Sequence, residues 1–312
     1  MKEMSSWLKP QPRPSYTYVA PLGTFQKKTE PVTVVSAYYE MKSKYTKDHY
    51  KKWIRLFLQT ISSPLVFFTD EHLVPFIQEC RKDLPIRIIV YPREDWLSTK
   101  RFPPSVWETL HTRDMEKNIH APELYKVWYE KAEFVRKAIE LNPFGHTKFL
   151  WTDAGILRSE SLAALVGEFP VASRIPVDRI LVLNIMPFTE RDNRIVEIDG
   201  QTFRGGGEDK PRIGGGVLAA SAAVWTTYIE KYHSLIERFS KTSLFWGKEQ
   251  TIMKTMYLEN KNLFSFIQVH PAAPEPWFYS LLYLGASETL FTYLNSLKDK
   301  RTVSYETLSK VK

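Results

Sequence analysis

The first third of the chain alternates between short apolar runs and stretches of helical spacing, and this alternation limits the fold more than any other feature. Val32 to Tyr39 (VTVVSAYY) is β-branched and aromatic, the signature of a buried strand. From Asp48 to Ile61, the residues Trp53, Ile54, Phe57, Leu58 and Ile61 recur at helical spacing until Pro64 breaks the pattern. Leu65 to Phe68 (LVFF) is a second strand, closing on Thr69 and Asp70, and Glu71 to Arg81 a short helix. Ile86 to Tyr91 (IRIIVY) is a third strand. A β-α-β-α-β series with short connections predicts an α/β fold: a mostly parallel central sheet with helices on both faces.

The remainder extends the same plan. Glu94 to His120 reads as irregular and aromatic, an insertion or lid interrupted by Pro103 and Pro104. Pro122 suits the first turn of a helix running to about Asn142. Lys148 to Arg158 (KFLWTDAGILR) is a strand that ends on an acid and two small residues. Arg179 to Ile185 is another strand, and polar, glycine-rich Thr189 to Arg212 reads as a mobile loop. Val217 to Ala223 is apolar and small. Helices are expected over Ala223 to Phe239 and Gly247 to Leu258, and a last strand over Leu263 to Val269. From Ser287 an amphipathic helix fades into a basic end. No repeat or long linker divides the chain. The expected organisation is an extended, proline-bearing arm over 1–31, one domain over 32–286 and a helical tail over 287–312.

Composition removes several classes. One cysteine, Cys80, allows no disulfide framework and points to a reducing compartment. No apolar stretch approaches the roughly 20 residues of a membrane span, and the N-terminal segment lacks the apolar core of a signal peptide. A cytoplasmic protein, at most touching a membrane surface, is the expectation. The net charge of +8 is spread along the chain and favours anionic partners such as phosphates or acidic lipid head groups. Nucleic acid is the weaker choice, because zinc-knuckle spacing, aromatic RNA-binding motifs and lysine blocks are missing.

Two segments, ELYKVWYEKAEFVRKAIELNPFGHTKFLWTDAGILR and TVVSAYYEMKSKY, resemble the HtrL/YibB family. The resemblance covers roughly Thr33 to Gln268. That family is glycosyltransferase-like and associated with lipopolysaccharide-core genes, so the resemblance implies a GT-A-like nucleotide-sugar fold without fixing donor or acceptor. A looser similarity to glycogenin-type transferases runs through Trp151 to Asp153, Gly214 to Ser221, Glu249-Gln250, and His270 followed by Pro276-Trp277. In that pattern the usual D-x-D is reduced to its second acid, Asp153, and an aspartate-glutamine pair has become Glu249-Gln250.

Asp153 is the leading candidate. An acid beyond the carboxyl end of a strand stands where open α/β sheets bind ligands, and its oxygens suit Mn2+ or Mg2+ bridging a diphosphate. The structural alternative is a turn- or cap-forming aspartate. Lys131 lies four residues after Val127 and three before Phe134, inside an apolar stripe of Leu124, Val127, Trp128, Phe134, Val135, Ala138 and Leu141. Either it snorkels to water, or its ammonium pairs with Asp153 or a diphosphate. Asp70 is a candidate for a donor ribose or base, or a helix cap. Tyr38 is a candidate for stacking a base, or belongs with Tyr39 to the core rim. Arg204 and Arg212 flank the glycine triplets as phosphate contacts. Glu249 is a base or acceptor-orienting acid and Gln250 a sugar contact, unless they form an ordinary exposed first helical turn. His270 is a second metal ligand or a structural histidine.

Taken with the family resemblance, these residues imply a metal-dependent glycosyltransferase that takes a nucleotide-diphosphate sugar and a glycan or lipopolysaccharide-like acceptor. The rivals are a non-catalytic nucleotide- or glycan-binding module and a basic peripheral protein that binds membrane glycolipid.

Overall fold

The computed structural model describes residues 16–19, 32–205, 211–297 and 302–311. Ten strands occur in chain order: β1 Tyr16–Val19, β2 Val32–Tyr38, β3 Leu65–Thr69, β4 Ile86–Val90, β5 Lys148–Thr152, β6 Ile180–Asn184, β7 Ile195–Ile198, β8 Gln201–Arg204, β9 Ile213–Ser221 and β10 Phe264–Gln268. The helices up to the strand that carries Asp153 are α1 Lys47–Thr60, α2 Val74–Arg81, α3 Leu97–Arg101, α4 Pro104–Arg113 and α5 Pro122–Leu141. Those after it are α6 Glu160–Ala163, α7 Ala222–Ser240, α8 Glu249–Glu259, α9 Tyr279–Gly285, α10 Glu288–Ser296 and α11 Tyr305–Leu308.

Eight strands form one sheet in the order β1-β4-β3-β2-β5-β9-β6-β10, and β7 and β8 form a separate hairpin. Strands β2, β3, β4 and β5 run parallel. Antiparallel β9 sits between β5 and β6, and β6 pairs with β10 in parallel. Strand β1 adds an antiparallel edge to β4; the rest of the 1–31 arm lies outside the described residues. The chain proceeds outward from β2 through β3 to β4, then crosses back to place β5 on the other side of β2. That reversal is a topological switch point, the place where ligands enter sheets of this kind.

Period-two alternation covers both faces. Val32, Val34, Leu65, Phe67 and Leu150 join one core, with α1, α2 and α9. Val35, Val66, Phe68, Phe149 and Trp151 join the other, beneath α4, α5, α7 and α8. Leu290, Leu294 and Leu308 of the C-terminal helices also pack into the first core.

Three sequence expectations change in the fold. Glu94 to His120 is not irregular, because α3 and α4 bury Trp107 and Leu110 against Tyr129 of α5. The Thr189–Arg212 stretch contains the β7–β8 hairpin, whose Asp199-Gly200 turn has positive φ at both residues (50° and 74°); residues 206–210 lie outside the description. Helix α5 does not have a single apolar stripe. Glu130, Lys131, Glu133 and Lys137 are buried along with Phe134, Val135 and Ala138, and Leu141 is exposed. Neighbours crowd α5 on nearly every side, so its charged residues are inside and need partners. Glu133 finds them in His233 and Arg136, and Glu130 in the backbone N–H groups of Leu97 and Ser98.

Candidate functional site

The switch point opens into a cleft of about 540 Å³, within the usual size of a small-molecule site. Its floor is the carboxyl end of β5 and the start of β9. One wall carries Tyr38 and Tyr50, whose rings stack at 6.4 Å and 30°. Leu124, Val127 and Trp128 of α5 also line the cleft. Trp277, 43% exposed, stands at the rim.

Asp153 follows β5 directly, and its N–H donates to Gly216 O across the antiparallel pair with β9 (3.0 Å). Its side chain is 42% exposed. Oδ1 accepts the Trp151 indole N–H at 3.0 Å and pairs with Lys131 Nζ at 2.9 Å. No hydrogen bond or ion pair among the described residues uses Oδ2. Trp151, which aims Oδ1, is itself fixed by stacking on Phe134 (5.8 Å, 9° between planes).

Lys131 is 8% exposed, so its stem does not snorkel to bulk water. Its ammonium also pairs with Glu249 Oε1 at 2.6 Å, donates to Gly215 O at 3.0 Å and lies 5.8 Å from the Trp151 ring centroid. Burial alone would lower its pKa, but Asp153 and Glu249 outweigh it and hold it above the ordinary lysine value. Glu249 is 7% exposed at the first turn of α8. Burial pushes its pKa up, Lys131 opposes that, and Asp153 adds to it. Two carboxylates share one ammonium, so the buried one is pushed toward its neutral form while the lysine stays charged. A Cβ at Gly215 would lie 2.1 Å from Glu249 Oε1. Only glycine leaves room for that carboxylate, which explains part of the Gly214 to Gly216 triplet in physical terms.

The other candidates divide cleanly. Tyr38 and Gln250 line the cleft with Asp153, Lys131 and Glu249; burial raises the Tyr38 pKa well above the ordinary phenol. Asp70, Arg204, Arg212 and His270 do not line it. Asp70 caps nothing with its side chain and accepts from Arg93 at 3.2 Å. Arg204 is exposed on β8. Arg212 is buried against Asp192, at 3.2 Å from Oδ1 and 3.0 Å from Oδ2, so its charge is spent inside the fold. His270 Nδ1 takes the Ala272 N–H at 3.2 Å, a local turn contact.

Sequence reasoning missed two features. Arg158, on the loop after Asp153, lines the cleft among aromatic rings. Asp114, Glu116 and His120 also come together, with ligand atoms within 4.8 Å of one another. There Lys248 Nζ lies 2.6 Å from Glu116 and 3.6 Å from Asp114, and the Tyr125 hydroxyl donates to Asp114 at 2.7 Å. An ammonium already fills the cation position of that group.

Glu249 and Glu275 also line the cleft, but of the two expected metal ligands only Asp153 does. Its Oδ2 is a hard, half-exposed oxygen, and Mg2+ is commonly held by one or two carboxylates with substrate phosphates completing the shell. His270 contributes nothing there.

No protein-family profile matches the chain, and no curated protein matches it. The HtrL/YibB resemblance therefore rests on the quoted segments. Among solved structures the chain is similar to a glycosyltransferase involved in glycosylation of the major capsid of PBCV-1. The identity is 12%, over 82% of this chain and 92% of that one, with a TM-score of 0.40. It is also similar to core-mannan synthase A from Aspergillus fumigatus in its Mn/GDP form. There the identity is 8%, over 83% of this chain and 80% of that one, with a TM-score of 0.42. No helix among the described residues is long and apolar enough to cross a membrane.

Proposed function

We propose that the chain is a glycosyltransferase of the HtrL/YibB type, with a nucleotide-diphosphate sugar as donor and a glycan or lipopolysaccharide-like glycolipid as acceptor. One observation carries this reading. Asp153 stands at the β2–β5 switch point with Oδ1 held by Lys131 and Trp151 and Oδ2 open to an aromatic-walled cleft. A carboxylate with one oxygen fixed and the other open to a ligand-sized cavity at a switch point stands where a bound cation or ligand can use it.

In this reading the donor base lies against Tyr38, whose ring offers an apolar face. Asp153 would hold Mn2+ or Mg2+ through its free Oδ2. Bound there, the metal supplies Lewis-acid neutralisation of the leaving diphosphate. Lys131 fixes the Asp153 carboxylate and does not itself meet the phosphate, since two acids and a carbonyl already take its ammonium. Glu249 acts by positioning Lys131: it is nearly buried and its Oε1 is committed. Gln250, the next residue, presents an amide to the cleft for the reacting sugar. Trp277 at the rim offers an exposed ring face to an acceptor sugar. The surplus of positive charge fits an anionic glycolipid acceptor met at the cytoplasmic face of a membrane.

The test is a thermal-shift panel of nucleotide sugars with and without Mn2+, followed by an assay for sugar transfer or nucleotide-sugar hydrolysis. Wild-type protein should be stabilised by one nucleoside diphosphate in the presence of Mn2+. Asp153→Asn should lose that response at unchanged apo stability. Binding without turnover would make the chain a non-catalytic module, and an unchanged Mn2+ response in the variant would remove Asp153 from the metal site.

A further inference from the structure

The acid-rich floor of the cleft leaves its positive counterpart to another residue, and the structure assigns that role to Arg158. Its guanidinium carbon lies 4.7 Å from the Trp53 ring centroid, 5.1 Å from Phe278 and 5.7 Å from Tyr45. Three rings therefore hold the group in place through cation–π contact. Its one hydrogen bond, from Nε to Gly155 O, is long at 3.4 Å. No carboxylate among the described residues pairs with it. Other arginines pair with carboxylates: Arg55 with Glu79, Arg136 with Glu133, Arg212 with Asp192 and Arg238 with Glu259. Arg158 is the converse case, fixed by rings so that its terminal N–H groups remain available.

Its surroundings give it a direction. Lys131 is shared by Asp153 and Glu249, so that corner of the cleft carries one uncompensated negative charge when both acids are ionised. Arg158 lines the same cleft, as does Lys44, which lies 5.5 Å from the Tyr45 centroid and likewise has no carboxylate partner among the described residues. A ligand seated here meets the Asp153 carboxylate and two cations without a carboxylate partner, with Glu275 also on the lining. A diphosphate fits that lining: its charge meets Arg158 and Lys44, and its approach to Asp153 needs an intervening cation. A planar guanidinium is also the side chain best shaped to take two phosphate oxygens at once.

This inference names the phosphate anchor of the proposed nucleotide-sugar site and rests on that reading. The test is calorimetric titration of full-length protein with inorganic pyrophosphate and with UDP and GDP, each with Mn2+, at two salt concentrations. Arg158→Gln should weaken the nucleotide that wild type binds, and pyrophosphate, by roughly 10- to 100-fold, the range of a lost charge-assisted bidentate contact. The salt dependence of binding should fall with it. Arg158→Lys, which keeps charge but not the fork, should fall between. Lys44→Gln should cost less than Arg158→Gln. Binding by Arg158→Gln within twofold of wild type overturns the inference while leaving the nucleotide-sugar reading intact. Arg158-dependent binding of pyrophosphate without any nucleotide binding overturns that reading and leaves the anchor standing. Failure of wild type to bind either probe overturns the anchor as well. Circular dichroism and apo melting of each variant separate lost binding from lost folding.

Discussion

Lys131→Met is the most informative single change, because it keeps the aliphatic stem and removes only the charge that ties two acids together. Lys131 Nζ contacts Glu249 Oε1 at 2.6 Å, Asp153 Oδ1 at 2.9 Å and Gly215 O at 3.0 Å. Without it, Asp153 can turn to water, because its side chain is 42% exposed. Glu249 cannot, at 7% exposure. Removing one partner of a buried pair costs about 3–5 kcal/mol when the other is left charged, and the carbonyl of Gly215 loses a donor worth about 1 kcal/mol. Glu249 escapes part of this cost by taking a proton. In the variant its folded pKa rises further above the unfolded carboxyl value of about 4.3. A raised acid stabilises the fold below the unfolded pKa and loses that contribution as pH rises through the folded one. Urea unfolding should therefore show a small loss near pH 5 and a loss of about 3 kcal/mol or more near pH 8. Adding Glu249→Gln to Lys131→Met should recover much of the alkaline loss, since the orphaned charge is gone. A destabilisation below about 1 kcal/mol at pH 8, with no pH dependence, would refute the buried triad.

Four further outcomes follow from the packing around β9 and α5. Gly215→Ala should destabilise by about 2 kcal/mol or more, because its Cβ would meet Glu249 Oε1 at 2.1 Å while Lys131 holds that carboxylate in place. Gly216→Ala, whose nearest contact is Ile156 Cδ1 at 3.4 Å, should leave apo melting almost unchanged. Burial and Glu133 raise Glu130 from 4.5 to about 7, so its neutral form is favoured and stability should fall by about 3 kcal/mol as pH rises from 4.5 through 7; denaturant unfolding of Glu130→Gln should show that decline abolished. For Glu133, burial opposes but the His233 and Arg136 contacts prevail, holding its pKa at about 2. Its contribution is present above pH 4.5 and drains away as pH falls toward 2, which Glu133→Gln should remove from an acid titration.

Local chemistry accounts for much of the fold. The short apolar, β-branched and aromatic runs at Val32, Leu65, Ile86 and Phe149 and the helical spacings between them determine which segments become strands and which become helices, because those preferences act over a few residues. The position of Asp153 was legible for the same reason: an apolar run that ends on an acid places that acid at a strand terminus. Lys131 was half legible. Its spacing put it on a packed surface of α5, but only the tertiary fold supplied Glu249, 118 residues away, and the Gly215 carbonyl. Long-range assembly decided the rest. Arg212 and Arg158 are both arginines in polar, glycine-bearing stretches. One is buried against Asp192 and the other is held free by Trp53, Tyr45 and Phe278. Nothing local distinguishes them, since a cation's role depends on which distant carboxylates or rings the chain crossings bring within a few ångströms. His270 and Asp70 failed to reach the cleft for that same reason: a strand end is a local property, whereas the strand ends that share one opening are set by the order of strands in the sheet.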